Sequence, residues 1–140
     1  MSHNKKLTDM LIRDEGLVLL AYEDSVGKVT IGVGRNLDDV GITEDEAMYL
    51  LENDILRVTK EVDRNFLWFD ELDEVRKNVV LNMVFNLGLS RFKGFKNAIA
   101  AIENSDWIEA SNQMLDSKWA AQVGIRAKRL AIMMETGDYV

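Results

Sequence analysis

Residues 14–35 read Asp-Glu-Gly-Leu-Val-Leu-Leu-Ala-Tyr-Glu-Asp-Ser-Val-Gly-Lys-Val-Thr-Ile-Gly-Val-Gly-Arg. The stretch contains a carboxylate, Glu15, then after eight residues a second carboxylate, Asp24, and after five more a hydroxyl, Thr30. The surrounding pattern predicts that Glu15 ends a helix, that Asp24 lies in a turn and that Thr30 belongs to a strand. Such elements can converge on one cleft, and two carboxylates facing each other across a cleft can cleave a glycosidic bond.

A short amphipathic helix is predicted immediately before this stretch. Leu7, Met10 and Leu11 recur at helical spacing. Gly16 follows, and glycine is favoured just past a helix end because the backbone there takes a positive φ. Glu15 is therefore expected at a fixed place on the last turn of the helix.

A β-hairpin is predicted after the helix, with a turn at residues 24–28. In its second strand Thr30, Gly32 and Gly34 share one face by the period-two rule. A face of threonine and glycines does not make a packed core, so it is predicted to be a surface that ligand or backbone approaches closely. The alternative is a plain exposed hairpin with no binding role.

The next segment predicts a loop and then a long helix. Residues 35–41 are polar and read as the loop. Thr43 and Glu46 fit a capping box, in which each side chain accepts a hydrogen bond from the other residue's backbone N–H. Apolar residues at helical spacing predict one helix over residues 43–64, and Asp70 is predicted to cap the helix that follows.

These elements predict an α+β chain that is mostly helical. The expected single domain has a small β-hairpin lobe at residues 14–42 and a larger helical lobe at residues 65–140. The helix at 43–64 connects the lobes, and the N-terminal helix at 4–15 is assigned to the helical lobe. The cleft is expected between the two lobes.

Composition excludes several classes of function. The net charge of the 140-residue chain is −7, which argues against nucleic acid as a partner. The charge is uneven, since residues 38–74 carry 13 acidic and 3 basic side chains. There is no cysteine, and the single histidine, His3, lies in a polar leader, so neither a disulfide nor a histidine metal site is expected. We expect no cofactor, no bound metal and a monomer.

Hydropathy bears on localisation. No apolar run approaches the ~18 residues of a membrane-spanning helix, so stable membrane insertion is not expected. The N-terminal residues lack the apolar core of a signal peptide. Synthesis in a cytoplasm is therefore expected, and action outside the membrane would need another route of release.

The spaced acid, acid and hydroxyl resemble the motif of the phage-type lysozymes, the muramidases best known from the T-even bacteriophages. Further matches follow in the expected order: Ile-Thr-Glu-Asp-Glu-Ala at 42–47, Asn-Met-Val-Phe-Asn-Leu-Gly at 82–88, Trp107, Trp119 and Arg-Ala-Lys-Arg at 126–129. The resemblance covers nearly the whole chain and implies a lysozyme-like fold with endolysin-type activity. It also implies synthesis in a bacterial host cytoplasm and action on the cell wall after release.

The resemblance implies hydrolysis of the β-1,4 bond between N-acetylmuramic acid and N-acetylglucosamine in bacterial peptidoglycan. Glu15 matches the general acid, and Asp24 and Thr30 match the pair that holds and activates the attacking water. The positions that match the substrate groove are Phe85, Asn86 and Gln113 on its helical wall, and Arg126, a basic residue facing the acid.

The residue types fit an inverting mechanism. Glu15 at a helix C-terminus meets the negative end of the helix dipole, which favours the protonated form that an acid catalyst needs. Asp24 in a polar turn is expected to stay ionised and to act as the base. Thr30 is a poor nucleophile without a neighbouring base but a good partner for a water, so inversion at the anomeric carbon is predicted.

Three departures from the family pattern stand out. The loop between Gly34 and Thr43 is far shorter than in the best-known members, which predicts a more open end of the groove. Arg35 stands where a histidine is usual. The chain is acidic whereas many relatives are basic, which predicts weaker long-range attraction to the anionic cell wall.

Two other functions fit parts of the sequence. A lytic transglycosylase uses one acid and no activated water, and the presence of Asp24 and Thr30 argues against it. A catalytically silent peptidoglycan-binding or structural module would not need all three groups. Trp107 and Trp119 are predicted to belong to the core and not to form sugar platforms.

Overall fold

The computed structural model describes residues 4–140, which form two units. One unit extends to Leu50, and the other runs from Leu51 to Val140. His3 lies outside the described residues. The chain is α+β and mostly helical, so the predicted fold class is confirmed.

The first unit contains one helix, a three-stranded antiparallel sheet and the start of a second helix. Helix α1 spans Lys5–Glu15, and the strands are β1 at Val18–Glu23, β2 at Val29–Gly32 and β3 at Arg35–Asn36. Helix α2 spans Glu44–Asn65 and continues into the second unit. The strand order β1-β2-β3 follows the chain, as in a meander.

Helix α1 begins and ends where local chemistry dictates. The side chain of Asn4 accepts a hydrogen bond from the Leu7 N–H at 3.0 Å and so caps the first turn. At the other end Gly16 has φ +81° and donates its N–H to the carbonyl of Ile12 at 2.8 Å. Glu15 is the last residue of the helix, as predicted.

The register of the sheet fixes the site region. Val18 lies opposite Gly32, and Tyr22 lies opposite Thr30, with an irregularity in β1 between these two pairs. On the other side of β2, Thr30 lies opposite Asn36. Thr30 is thus held from both sides in the central strand.

Two expectations for this hairpin were wrong. The segment 35–41 is not all loop, because its first two residues pair with β2 as β3. Strand β2 ends at Gly32, and Gly34 has φ +68°, so the alternation of faces stops before Gly34. Thr30 is only 4% exposed, and the expectation that ligand or backbone approaches its face closely stays a prediction.

Helix α2 starts with the predicted capping box. The Thr43 hydroxyl accepts from the Glu46 N–H at 3.2 Å, and Glu46 Oε1 accepts from the Thr43 N–H at 2.9 Å. The helix has 22 residues and buries Val58 and Val62. Its bounds differ from the predicted 43–64 by one residue at each end.

The remainder of the second unit is helical. A 3-10 turn at Phe69–Glu71 precedes six helices: α3 at Glu74–Leu87, α4 at Leu89–Lys93, α5 at Lys96–Glu103, α6 at Trp107–Leu115, α7 at Lys118–Val123 and α8 at Ile125–Thr136. Asp70 does not cap α3, because it lies within the 3-10 turn. The cap is Asp73, whose carboxylate accepts from the Arg76 N–H at 3.1 Å.

The core of the second unit forms around α3 and a row of aromatic rings. Helix α3 buries Val79, Val80, Met83 and Val84. The ring of Phe92 lies between those of Phe66 and Phe95, at centroid distances of 5.6 and 6.4 Å, and Phe95 also contacts Trp119 at 6.0 Å. Trp119 is 4% exposed and belongs to the core, as predicted.

Trp107 packs against the core and is partly buried. The guanidinium of Arg76 lies 4.0 Å from its ring centroid, in a cation–π contact. None of the helices within residues 4–140 combines the length and the apolar character that crossing a membrane requires.

Candidate active site

The predicted acid, Glu15, lies over a glycine. Its side chain is exposed and comes so close to Gly34 that a methyl group built there would lie 2.7 Å from Glu15 Oε2. Gly34 also has φ +68°, a conformation that side chains disfavour. The backbone conformation therefore favours glycine here, and a side chain at this position would displace the Glu15 carboxylate.

The predicted base, Asp24, is fixed by the turn between β1 and β2. Its Oδ1 accepts two backbone hydrogen bonds, from Val26 at 3.0 Å and from Lys28 at 2.8 Å. The Asp24 N–H in turn donates to the carbonyl of Lys28 at 2.9 Å. Because both donors use Oδ1, Oδ2 is left for a further partner.

Thr30 is connected to Asp24 through the backbone of Lys28. Its hydroxyl donates to the Lys28 carbonyl at 2.9 Å, the oxygen that also accepts the Asp24 N–H. With its only proton engaged, the Thr30 hydroxyl can act toward another partner only as an acceptor. Lys28 thus links the second carboxylate and the hydroxyl, and sequence reasoning did not identify this residue.

Arg35 forms a two-point ion pair with Glu46. Its guanidinium donates to Oε1 and Oε2 at 2.8 Å each, and also to the carbonyl of Gly41 at 3.0 Å. The hydrogen bonds from Arg35, and next the N–H of Thr43, lower the pKa of Glu46 to about 2. The sequence singled out Arg35 as unusual and Glu46 as part of a capping box, but it did not pair them.

Two of the predicted substrate-binding residues line one cavity of the second unit. Phe85 and Arg126 border a cavity of about 290 Å³ whose walls are mostly apolar. Arg126 donates from Nε and Nη2 to Asn82 Oδ1 at 3.0 and 2.7 Å. Asn82 orients the guanidinium, and its place at the start of the 82–88 motif was the signal that could have identified it.

The other two predicted substrate-binding residues have different surroundings. Asn86 Oδ1 accepts from the indole N–H of Trp119 at 2.8 Å. Gln113 donates to Glu109 at 2.7 Å and lines a separate depression of about 400 Å³. Phe85 and Arg126 are therefore brought together, whereas Gln113 is not part of their cavity.

The described residues offer no clear place for a metal ion. Across residues 4–140, no three side chains of histidine, cysteine, aspartate or glutamate are grouped as a metal site requires. Two carboxylates of the first unit, Asp24 and Glu46, instead have backbone and guanidinium partners.

Comparison with known proteins identifies the family. The family model for phage lysozyme matches residues 13–133. A probable T4-type lysozyme of Dictyostelium discoideum is 32% identical over 94% of each chain. An endolysin of Acyrthosiphon pisum secondary endosymbiont phage 1 is 29% identical over 79% of this chain and 75% of its own. The pre-baseplate central spike protein of Enterobacteria phage T4 is 27% identical over 96% of this chain but only 28% of its own length.

The matched residues include Glu15, Asp24 and Thr30 and extend through the helices of the second unit. The resemblance seen in the sequence is thereby confirmed. The chain belongs to the phage lysozyme family, and it is a glycoside hydrolase of the muramidase type that acts on peptidoglycan.

Proposed function

We propose that the chain hydrolyses the β-1,4 bond between N-acetylmuramic acid and N-acetylglucosamine with inversion, using Glu15 as general acid and Asp24 with Thr30 to position water. The observation that supports this most is the backbone of Lys28, whose N–H donates to the Asp24 carboxylate and whose carbonyl accepts from the Thr30 hydroxyl. A carboxylate and a hydroxyl linked in this way can hold one water between them.

In the proposed reaction, Glu15 donates its proton to the glycosidic oxygen as the bond from that oxygen to the anomeric carbon breaks. Glu15 ends α1, and its exposed carboxyl is open to a sugar bound beside it. The carboxyl lies close to Gly34, which leaves room for it beside the turn between β2 and β3.

The attacking water is proposed to lie between Asp24 Oδ2 and Thr30 Oγ1. Because the Thr30 hydroxyl donates its hydrogen bond to the Lys28 carbonyl, it accepts a hydrogen bond from the water and orients it, and that hydrogen stays in the product hydroxyl. Asp24 accepts the other proton as the water oxygen forms its bond to the anomeric carbon. Afterwards Glu15 is ionised and Asp24 protonated, and exchange with solvent restores both.

This arrangement favours hydrolysis over the transglycosylase reaction. A lytic transglycosylase needs one acid and closes an internal anhydro ring without water. Asp24 and Thr30, linked through the backbone of Lys28, would supply a water site that this reaction does not use.

We propose that Phe85, Asn86, Gln113 and Arg126 bind the glycan strand. Phe85 offers an exposed aromatic face beside Arg126 in one cavity. Asn82 fixes the guanidinium of Arg126, which suits it to hydrogen-bond sugar or lactyl oxygens. The separate depression at Gln113 suits a further part of the polymer.

We propose an endolysin-type role for a monomer that is made in the cytoplasm of a bacterial host and reaches the cell wall after release. The match to a phage endolysin along 75% of its length supports this role. The T4 spike protein, of which the chain matches 28%, makes a tail-associated enzyme the alternative.

The test of the reaction is digestion of purified peptidoglycan, with the product ends identified by mass spectrometry. We expect a reducing N-acetylmuramic acid, because water and not the sugar's own hydroxyl attacks. An anhydro sugar would instead identify a transglycosylase, and an undigested wall would identify a silent binding module. Glu15→Gln is the matched control, since it keeps the side-chain shape but cannot donate the proton.

A further inference from the structure

Glycines flank and form the turn beneath Glu15. Residues 33–34 connect β2 and β3, and both Gly34 and Gly32, the last residue of β2, take a positive φ, at +68° and +71°. Glycine has the largest backbone freedom of any residue, so two glycines within three residues restrain this turn only weakly by themselves. The Glu15 carboxyl lies against Gly34, so any shift of Gly34 would change the surroundings of this carboxyl.

Arg35 is the first residue after this turn and is fixed by three hydrogen bonds. Two go to the oxygens of Glu46, and the third goes to the carbonyl of Gly41. A two-point guanidinium–carboxylate contact fixes direction as well as distance, because two parallel bonds resist rotation. The backbone of Arg35 also pairs with Ile31 across the turn.

Glu46 is itself held by a rigid element. It lies in the first turn of α2, and its Oε1 accepts the N–H of Thr43 in the capping box. A continuous series of contacts therefore runs from the N-terminus of α2 through Glu46 and Arg35 to Gly34 and Glu15, all within the first unit.

We propose that Arg35 is a positioning residue for the reaction. Its two-point ion pair with Glu46, called the clamp below, holds the neighbouring Gly34 in place. Gly34 in turn keeps the Glu15 carboxyl directed at the bond to be cleaved. The proposal rests on the proposed role of Glu15 as the acid. The side chains of both partners are more than a third exposed, at 35% for Arg35 and 40% for Glu46. Ion pairs between exposed side chains add little to the free energy of unfolding. We therefore expect this pair to act mainly on the position of Gly34 and Glu15.

Two variants loosen the clamp by different means. Arg35→Lys keeps the positive charge but loses the two-point contact. Glu46→Gln removes the negative charge and keeps the capping box, which accepts glutamine as well as glutamate. The matched control is Asp9→Asn, which breaks the exposed ion pair with Lys5 in α1 of the same unit.

Steady-state kinetics on soluble peptidoglycan fragments give the first readout, with activity normalised to the folded fraction. We expect kcat to fall about tenfold in both clamp variants with KM unchanged, because a displaced catalytic group slows the reaction without weakening binding. Asp9→Asn should match the wild type. If kcat holds in the clamp variants, or if only KM changes, Arg35 is not a positioning residue.

The second readout does not depend on activity. Backbone ¹⁵N relaxation should show greater motion of Gly32 and Gly34 in Arg35→Lys and Glu46→Gln, and no change in Asp9→Asn. If the wild type is inactive but the variants show this change in motion, the proposed function is wrong, whereas the structural effect of the Arg35–Glu46 pair on Gly34 is supported. Unchanged motion of Gly34 in a folded clamp variant would overturn the inference even if the enzyme is a muramidase. If Arg35→Lys does not fold, Glu46→Gln alone decides.

Discussion

The second unit buries apolar side chains, whereas the first unit holds its key groups with hydrogen bonds. Every buried apolar residue that the structure describes belongs to the second unit, including Met83 and Phe92 at 1% exposure. In the described part of the first unit, Thr30 is the buried residue, and apolar side chains such as Leu19 and Leu20 are more than three-quarters exposed. The candidate catalytic groups thus lie in the unit with little core of its own.

This difference separates two kinds of sensitivity. In the first unit, Asp24, Thr30 and Glu46 are fixed by backbone and turn contacts, so changes there should act mainly on turnover. In the second unit, close packing means that loss of a side chain leaves a cavity, so changes there should act mainly on stability. Substitutions in each unit can test this separation.

The largest effect is expected for Glu15→Gln. General acid catalysis contributes about 10²–10⁴-fold, so activity on cell walls should fall by at least that much. The side chain is exposed, so the fold should persist. Clearing of a turbid cell-wall suspension measures the activity of the purified variant, and circular dichroism verifies its fold. Clearing near the wild-type rate would mean that Glu15 is not the acid.

Phe92→Ala should lower stability and leave turnover nearly unchanged. Truncating a buried phenylalanine costs about 3–5 kcal/mol of unfolding free energy. Phe92 is 1% exposed and contacts two other rings, so we expect a value in this range by urea unfolding. Turnover per folded molecule should stay near wild type. Leu19→Ala in the first unit is the control and should change stability by less than about 0.5 kcal/mol, because the side chain is 78% exposed.

Gly34→Ala should affect both properties. The new methyl group would meet Glu15 Oε2 at 2.7 Å. Displacing the carboxyl should lower kcat by roughly ten- to a hundredfold, and the left-handed backbone should cost about 1–2 kcal/mol of stability. Gly88→Ala carries a similar strain at φ +82° with no neighbour within 4 Å, so it should lose stability alone. Equal kcat in the two variants would mean that Gly34 does not determine the position of the Glu15 carboxyl.

Thr30→Ala should lower turnover more than substrate affinity. The hydroxyl is proposed to hold the water and not the sugar, so kcat should fall with KM little changed. One hydrogen bond of about 1 kcal/mol corresponds to roughly a fivefold effect. Initial-rate kinetics decide the point, and Thr30→Ser, which keeps the hydroxyl, is the control. A rise in KM at constant kcat would place Thr30 against the sugar instead.

The smallest effect is the pH dependence of the Arg35–Glu46 pair. The pKa of Glu46 is lowered from 4.5 to about 2, chiefly by hydrogen bonds from Arg35. A lowered carboxyl pKa adds stability above the unfolded value, and this contribution disappears as pH falls through the folded value. The difference in unfolding midpoint between wild type and Glu46→Gln should therefore shrink from about pH 5 to about pH 2. A constant difference over this window would mean that the ion pair does not contribute.

Local signals made much of the first unit predictable. The end of α1 at Glu15 and the capping box at Thr43 depend on residues within four positions of each other, and both were confirmed. The pairing of β3 and the contact between Arg35 and Glu46 depend on where the chain returns in space, which no local pattern encodes.

The second unit shows the same limit. Asp70 and Asp73 are both good caps, and the choice between them depends on the extended Leu72 that ends the 3-10 turn. The family match proposed Phe85 and Gln113 as parts of one wall but could not show that they border different cavities. The roles of these residues and the lobe boundaries near residues 42 and 65 stay predictions.

We propose that water held by Asp24 and Thr30 attacks opposite Glu15, and the anomeric form of the fresh product reports directly on this attack. Proton NMR of soluble peptidoglycan fragments, recorded before mutarotation, reads this form at the newly released reducing end. An inverting enzyme that cuts a β-1,4 bond must release the α-anomer first, and that is the result we predict. Initial release of the β-anomer, or a trapped glycosyl ester on Asp24, would show that Asp24 is a nucleophile and would contradict the proposed water mechanism.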